Sequence, residues 1–162
     1  HIDIKNVEKN IKKEVISKKI ETINNFFINY FNKRPRIAIL GLNPHNSENR
    51  SNSIESKLIT PQVKILRDKK INITGPYPAD TIFTNMKKLK YDVVVGMYHD
   101  QVLGPFKALY GYNAINITLG LRYLRISPDH GTAVDLIGKN KANPQSLINS
   151  IKFFTKTHND QT

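Results

Sequence analysis

His99 follows the run Val93-Val94-Val95-Gly96-Met97-Tyr98, so a side chain able to ligate a metal stands just past an apolar stretch that reads as a buried strand. In open α/β sheets ligands collect outside the carboxyl ends of the strands. His45 is placed in the same way, because Ile37-Ala38-Ile39-Leu40 reads as a strand and Gly41-Leu42-Asn43-Pro44-His45 as the loop leaving it. His1 is the first residue. Spacings of 44 and 54 residues separate the three and fit no local metal motif, so only a fold that gathers strand ends makes one site of them. From spacing alone, a loop histidine is more often a surface or hydrogen-bonding residue, and that alternative stays open.

The elements that must position these residues follow from periodicity. Apolar side chains at Ile16, Ile20, Ile23, Phe27, Tyr30 and Phe31 predict an amphipathic helix over about 7–31, ended by Arg34-Pro35. A strand over 36–40 and a polar loop over 43–53 follow. A helix over 53–66 then has Ser53 as its N-cap, with Pro61 out of place unless it opens a second helix. Next come a strand over 72–74, a proline-rich loop over 75–79, a helix over 81–89, a strand over 92–97 and a helix over 101–110. Residues 114–119 and 123–126 read as two more strands, or one interrupted at Gly120, and a last helix over 144–155 carries Leu147, Ile148, Ile151 and Phe154 on one face. Alternating strands and helices predict a mostly parallel, covered α/β sheet. The chain reads as a single unit over 1–162 with a frayed polar tail at 158–162.

Composition narrows the function classes. The 162 residues, 39% of them hydrophobic, suffice for one ordinary domain with a core. With no cysteine, disulfides and thiolate ligands are excluded, which fits a reducing compartment. No apolar run reaches the roughly 18 residues that span a bilayer, and a cytoplasmic location is the natural reading. A net charge of +12 raises nucleic acid as a partner. The lysines are scattered among asparagine and isoleucine, as AT-rich coding yields, and no basic-aromatic motif accompanies them, so nucleic-acid binding is the weaker reading.

Six blocks, in order, carry a resemblance: His1-Ile2-Asp3-Ile4-Lys5-Asn6-Val7, Gly41-Leu42-Asn43-Pro44-His45, Gly75-Pro76-Tyr77-Pro78-Ala79-Asp80-Thr81, Met97-Tyr98-His99-Asp100-Gln101, Asn116-Ile117-Thr118-Leu119-Gly120-Leu121 and Asp129-His130-Gly131-Thr132-Ala133-Val134-Asp135. This set resembles the 4-hydroxythreonine-4-phosphate dehydrogenase family of pyridoxal phosphate biosynthesis. That family's enzymes are about twice as long, so the resemblance implies the C-terminal half of a two-domain enzyme with an isocitrate/isopropylmalate dehydrogenase-like fold, here incomplete. It also implies a divalent metal, zinc before magnesium or cobalt, held by His1, His45 and His99, with Asp100 or Asn43 near enough to orient a ring.

Within the same resemblance, Lys107, Asn116 and Arg125 match substrate-binding positions, and their chemistry suits an anionic phosphorylated substrate. As an alternative, Lys107 and Arg125 are solvated surface charges. Asn116 interrupts an apolar strand and needs a partner if buried. His130, Gly131, Ala133, Asp135 and Asn143 match a loop that lies against the adenosine end of NAD or NADP in the wider superfamily. No G-x-G-x-x-G is present, so the usual dinucleotide mode is not expected. Lys107 and Asp80 are the candidate catalytic residues. Asp80 would orient a basic side chain or take a proton, or else it caps the helix that follows. One departure is Asn46-Ser47-Glu48-Asn49-Arg50 after His45, where the family has small residues before an acidic one.

The implied activity is metal-dependent oxidation of 4-phosphooxy-L-threonine at C3, then decarboxylation to 3-amino-2-oxopropyl phosphate, in a homodimer with its active site near the subunit interface. The rivals are a related dehydrogenase of another phosphorylated hydroxy acid, a non-catalytic fragment, and a basic nucleic-acid-binding domain. The chain alone is expected to be nearly inactive, since half a cleft does not align the reacting groups.

Overall fold

The structure, a computed structural model, describes residues 2–44, 50–85 and 90–159. The chain divides into two compact units, His1–Pro105 and Phe106–Thr162.

The first unit is built on strand β1 (Ile37–Leu40), with β2 (Ile73–Tyr77) and β3 (Val93–Val95) parallel on either side in the order β2-β1-β3. All four residues of β1 are buried, which is why its sequence is an unbroken apolar run instead of an alternation. The expected helix over 7–31 is in fact two, α1 (Val7–Asn10) and α2 (Lys13–Phe31), with Ile11 extended between them. The break has a local cause: the Asn10 side-chain amide donates to the Asn6 carbonyl at 2.8 Å and so competes with the helical ladder.

Ile37 and Ile39 face a core with Ile16 and Ile20 of α2, Val63 and Leu66 of α3 (Thr60–Asp68), and Ile59. Ala38 and Leu40 face the opposite side, against Ile82 of α4 (Ala79–Ile82), Val102 of α5 (His99–Tyr110), Tyr77 and Val94. Thus helices cover both faces of the sheet, as the alternation predicts. Ser53 caps as expected, its hydroxyl accepting the Ser56 N–H at 3.1 Å. A wide π-helical turn (Glu55–Ile59) then leads into α3, where Pro61 sits in the first turn and needs no N–H partner.

The supposed loop over 75–79 is largely strand. Gly75, Pro76 and Tyr77 belong to β2, which pairs Thr74 with Ala38 and Tyr77 with Leu40 across an irregularity. Being an edge strand, β2 tolerates a proline without an N–H. Gly75 is obligatory there, with φ at 122° and a site where a Cβ would lie 2.3 Å from the Ile39 carbonyl oxygen. Helix α4 follows at once, two residues earlier than expected, and passes into a 3-10 turn (Phe83–Asn85); 86–89 of the expected helix lie outside the described residues.

In the second unit β4 (Ile115–Thr118) and β5 (Arg125–Pro128) pair antiparallel, Asn116 opposite Ser127 and Thr118 opposite Arg125. The last helix, α6 (Gln145–Asn159), packs on them. Over residues 145–155 its buried residues are serines, Ser146 and Ser150, while Leu147, Ile148, Ile151 and Phe154 are exposed. Ser146 donates to the Ala114 carbonyl at 2.6 Å and accepts the Asp129 N–H at 2.8 Å, tying together the chain entering β4 and the chain leaving β5. The proposed tail at 158–162 is helical through Asn159, and 160–162 fall outside the described residues. Among the described residues no helix is long and apolar enough to cross a membrane.

Candidate active site

Because β1 and β3 are adjacent and parallel, with Ile39 beside Val95, the loops leaving them emerge at the same end of the sheet. The β3 loop is short. His99 is the first residue of α5, not a loop residue as expected from sequence. Its ring is half exposed, and Nδ1 lies 2.7 Å from the Asp100 carboxylate. A carboxylate bonded at Nδ1 is the arrangement that steadies an imidazole ligating through Nε2. The β1 loop runs toward His45, but 45–49 lie outside the described residues, as does His1, and with them the departure after His45. Among the described residues no three His, Asp or Glu side chains converge as a metal cluster.

Three side chains missed in the sequence hold this end of the sheet. Gln101, 7% exposed, accepts the Met97 N–H and donates to the Gly41 carbonyl, both at 2.7 Å. Glu55, 3% exposed, accepts the Asn43 N–H at 2.8 Å. Tyr77, closing β2, accepts a 2.7 Å hydrogen bond from Tyr91, which in turn receives one from Thr74. Burial raises the Tyr91 pKa above its ordinary 10.0, with Thr74 opposing and Tyr77 adding to the rise. Nothing in the hydrophobic pattern marks a glutamine or glutamate as buried.

Asp80 lies exposed in the first turn of α4, where its charge favours the helix dipole. It is not the N-cap, a position held by Pro78.

In the second unit one expected substrate residue, Lys107, comes together with the expected cofactor residues His130 and Gly131. Lys107 reaches the Asp129 carboxylate at 3.6 Å. A hollow of about 390 Å³ is walled by Lys107, Gly111, Tyr112, Asp129, His130 and Gly131. A second, of about 190 Å³, shares Tyr112 and His130 and adds Ala133, Lys141 and Asn143. The His130 ring turns back on the Gly131 carbonyl at 2.9 Å. Ala133 is left-handed, with φ at 46°, and bends the chain into the turn that holds the exposed Asp135. Asn143 caps α6, its side-chain oxygen accepting the Gln145 N–H at 2.9 Å.

Asn116 and Arg125 stand on one face of the hairpin. Strand alternation and the register put Asn116, Thr118, Arg125 and Ser127 there, and Ile115, Ile117 and Ile126 on the other. Arg125 donates to the Thr118 hydroxyl at 2.9 Å. Asn116 is exposed, so it breaks the apolar strand pattern without needing a buried partner.

A parallel α/β unit with His99 at the carboxyl end of its sheet, and a second unit whose hollow is walled by a lysine beside a histidine-glycine turn, define an α/β protein with ligand-accessible groups in each unit. The chain belongs to the family described as pyridoxal phosphate biosynthetic protein PdxA, whose model matches residues 1–154. It is 47% identical over 154 residues to the 4-hydroxythreonine-4-phosphate dehydrogenase of Sulfurihydrogenibium sp., covering 94% of this chain and 47% of that protein. The crystal structure of 4-hydroxythreonine-4-phosphate dehydrogenase from Klebsiella pneumoniae superposes with a TM-score of 0.82 at 37% identity, over 97% of this chain and 48% of that one. A terephthalate 1,2-cis-dihydrodiol dehydrogenase from Burkholderia xenovorans matches at 0.74 and 26% identity, over 96% of this chain and 50% of that one. The chain therefore spans about half the length of the relatives it matches.

Proposed function

We propose that this chain is the metal- and cofactor-binding half of an NAD- or NADP-linked enzyme that oxidises 4-phosphooxy-L-threonine at C3, the first committed chemistry being loss of hydride from C3 and of the proton from its hydroxyl. The β-keto acid so formed loses its carboxyl as carbon dioxide and takes up a proton, giving 3-amino-2-oxopropyl phosphate. The observation that carries this reading is the shared hollow: Lys107, expected to meet substrate, and His130 and Gly131, expected to meet cofactor, wall the same space.

The donor set fits a divalent metal: imidazole nitrogens, no thiolate, and His99 braced by Asp100. His1, His45 and His99 would hold zinc, which would supply Lewis-acid polarisation of the substrate's oxygens, and the bound nicotinamide cofactor would supply the hydride acceptor. Lys107 and Arg125 would exchange their contacts with Asp129 and Thr118 for the substrate's anionic groups, and Asn116 would hydrogen-bond it. Asp80 would hold a proton or orient a basic side chain. His130, Gly131, Ala133, Asp135 and Asn143 would border the adenosine end of the cofactor. In a homodimer the active site would lie near the subunit interface.

Titration of the chain with NAD and with NADP, followed by amide chemical shifts, tests the cofactor assignment. The expected changes concentrate at Tyr112, His130, Gly131, Ala133 and Asn143. No perturbation there at millimolar cofactor would remove the basis of the proposal. The dihydrodiol dehydrogenase match shows that the fold serves other substrates. The higher identity to the 4-hydroxythreonine-4-phosphate dehydrogenases favours 4-phosphooxy-L-threonine over a diol.

A further inference from the structure

The hollow of about 390 Å³ in the second unit sets a lysine against a carboxylate, Lys107 lying 3.6 Å from Asp129. The two differ in freedom. The Lys107 side chain is 49% exposed, whereas that of Asp129 is 17% exposed. Asp129 is also anchored through its backbone: its N–H donates to the Ser146 hydroxyl at 2.8 Å, and Ser146, 1% exposed, donates in turn to the Ala114 carbonyl at 2.6 Å. An ammonium on a flexible four-carbon stem can swing away while the carboxylate stays in place. His130 adds a second acceptor to the same wall. Its Nδ1 lies 2.9 Å from the Gly131 carbonyl, which only accepts, so Nδ1 carries the proton and Nε2 of the neutral ring accepts.

These groups serve a bare anion poorly. To bind at Lys107 it must break the pair with Asp129, leaving a mostly buried carboxylate without its cation and beside a like charge. A ligand that carries an ammonium group near its anionic group restores the balance. Its anion takes Lys107, its ammonium takes Asp129, and one ion pair becomes two.

We infer that Asp129 is a specificity-determining residue of this hollow: it admits phosphorylated ligands that bring an ammonium group and turns away those that do not. The inference rests on the reading above that Lys107 meets the substrate's anionic group, and adds that the substrate's amino group is recognised at Asp129. The probes are O-phosphoethanolamine and propyl phosphate, which differ by an ammonium in place of a methyl group. Each is titrated into the full chain and followed by the amide shifts of Lys107, Tyr112, Asp129 and Gly131. The parent should bind O-phosphoethanolamine the more tightly, on the order of tenfold to a hundredfold, as one charge-assisted contact provides. Asp129→Asn keeps the volume and the N–H that Ser146 receives. It should weaken O-phosphoethanolamine and leave propyl phosphate as tight or tighter, so that the preference nearly vanishes. Asp129→Ala should do the same, and serves if the asparagine variant does not fold.

Equal affinity of the parent for the two probes, a preference that survives in both variants, or a parallel loss of both probes there would overturn the role of Asp129 while leaving Lys107 its own. A parent that binds neither probe, or a Lys107→Met variant that binds both as the parent does, would overturn the reading of Lys107 and this inference with it.

Discussion

Single residues at the two ends of β1 and β3 have different work, and pH separates them. Asp92, at the amino end, is 14% exposed; burial alone would raise its pKa, but hydrogen bonds from Lys33, the Arg36 N–H and the Arg36 guanidinium, with the Lys33 charge, bring it from 3.8 to about 2. A carboxylate held below its unfolded pKa contributes stability that is complete above that value and lost as pH falls through the folded one. Stability should therefore drop by up to about 2 kcal/mol between pH 4 and 2, with Lys33, half exposed, making that an upper figure. Urea unfolding at stepped pH checks this, and Asp92→Asn should flatten the acid limb. Arg125, bonded to Thr118 in the structure, is assigned to substrate recognition by the proposal alone. In a full-length chimera its replacement by alanine should weaken 4-phosphooxy-L-threonine on the order of tenfold to a hundredfold, with cofactor affinity unchanged. Unchanged substrate kinetics would return Arg125 to its Thr118 contact alone.

Among the elements, the buried β1 and the partly buried β3 are the most legible in the sequence. Ile37–Leu40 and Val93–Val95 are unbroken apolar runs because a strand covered on both faces needs nothing else. Strand β2 reads too short in the sequence because Gly75-Pro76 is a turn signal, overridden here by an edge position and a left-handed glycine. Replacing Gly75 with alanine should cost about 3 kcal/mol or more, through both its φ and the Ile39 carbonyl. Gly104→Ala, in helix with open space around it, should be neutral or stabilising by up to about 1 kcal/mol. Thermal or urea midpoints of the pair decide. His99 is legible as a residue just past a strand, whereas Gln101, Glu55 and Ser146 are not legible as buried, since periodicity assigns polar side chains to solvent. Helix α6 inverts that rule outright: its serine side pins β4 and β5 and its Leu147, Ile151 and Phe154 side faces outward. Sequence shows which stripe is apolar but not what stands opposite it.

For the molecule as a whole, that outward apolar stripe and the chain's half-length relation to its relatives bear on behaviour in solution. Large exposed apolar patches drive association, so the chain should self-associate in sedimentation, and Ile151→Lys with Phe154→Lys should shift it toward monomer without loss of helix signal. In the proposed reading these 162 residues would supply the metal, substrate and cofactor groups, and a complementary half would be needed for turnover. The direct measurement is NAD or NADP reduction with zinc and 4-phosphooxy-L-threonine, comparing the chain alone with a chimera carrying the first half of the Sulfurihydrogenibium enzyme. Turnover by the chimera, lost in His99→Ala, and almost none by the chain alone is the expected result. A folded, zinc-loaded chimera without turnover, or a chain that matches it unaided, would contradict it.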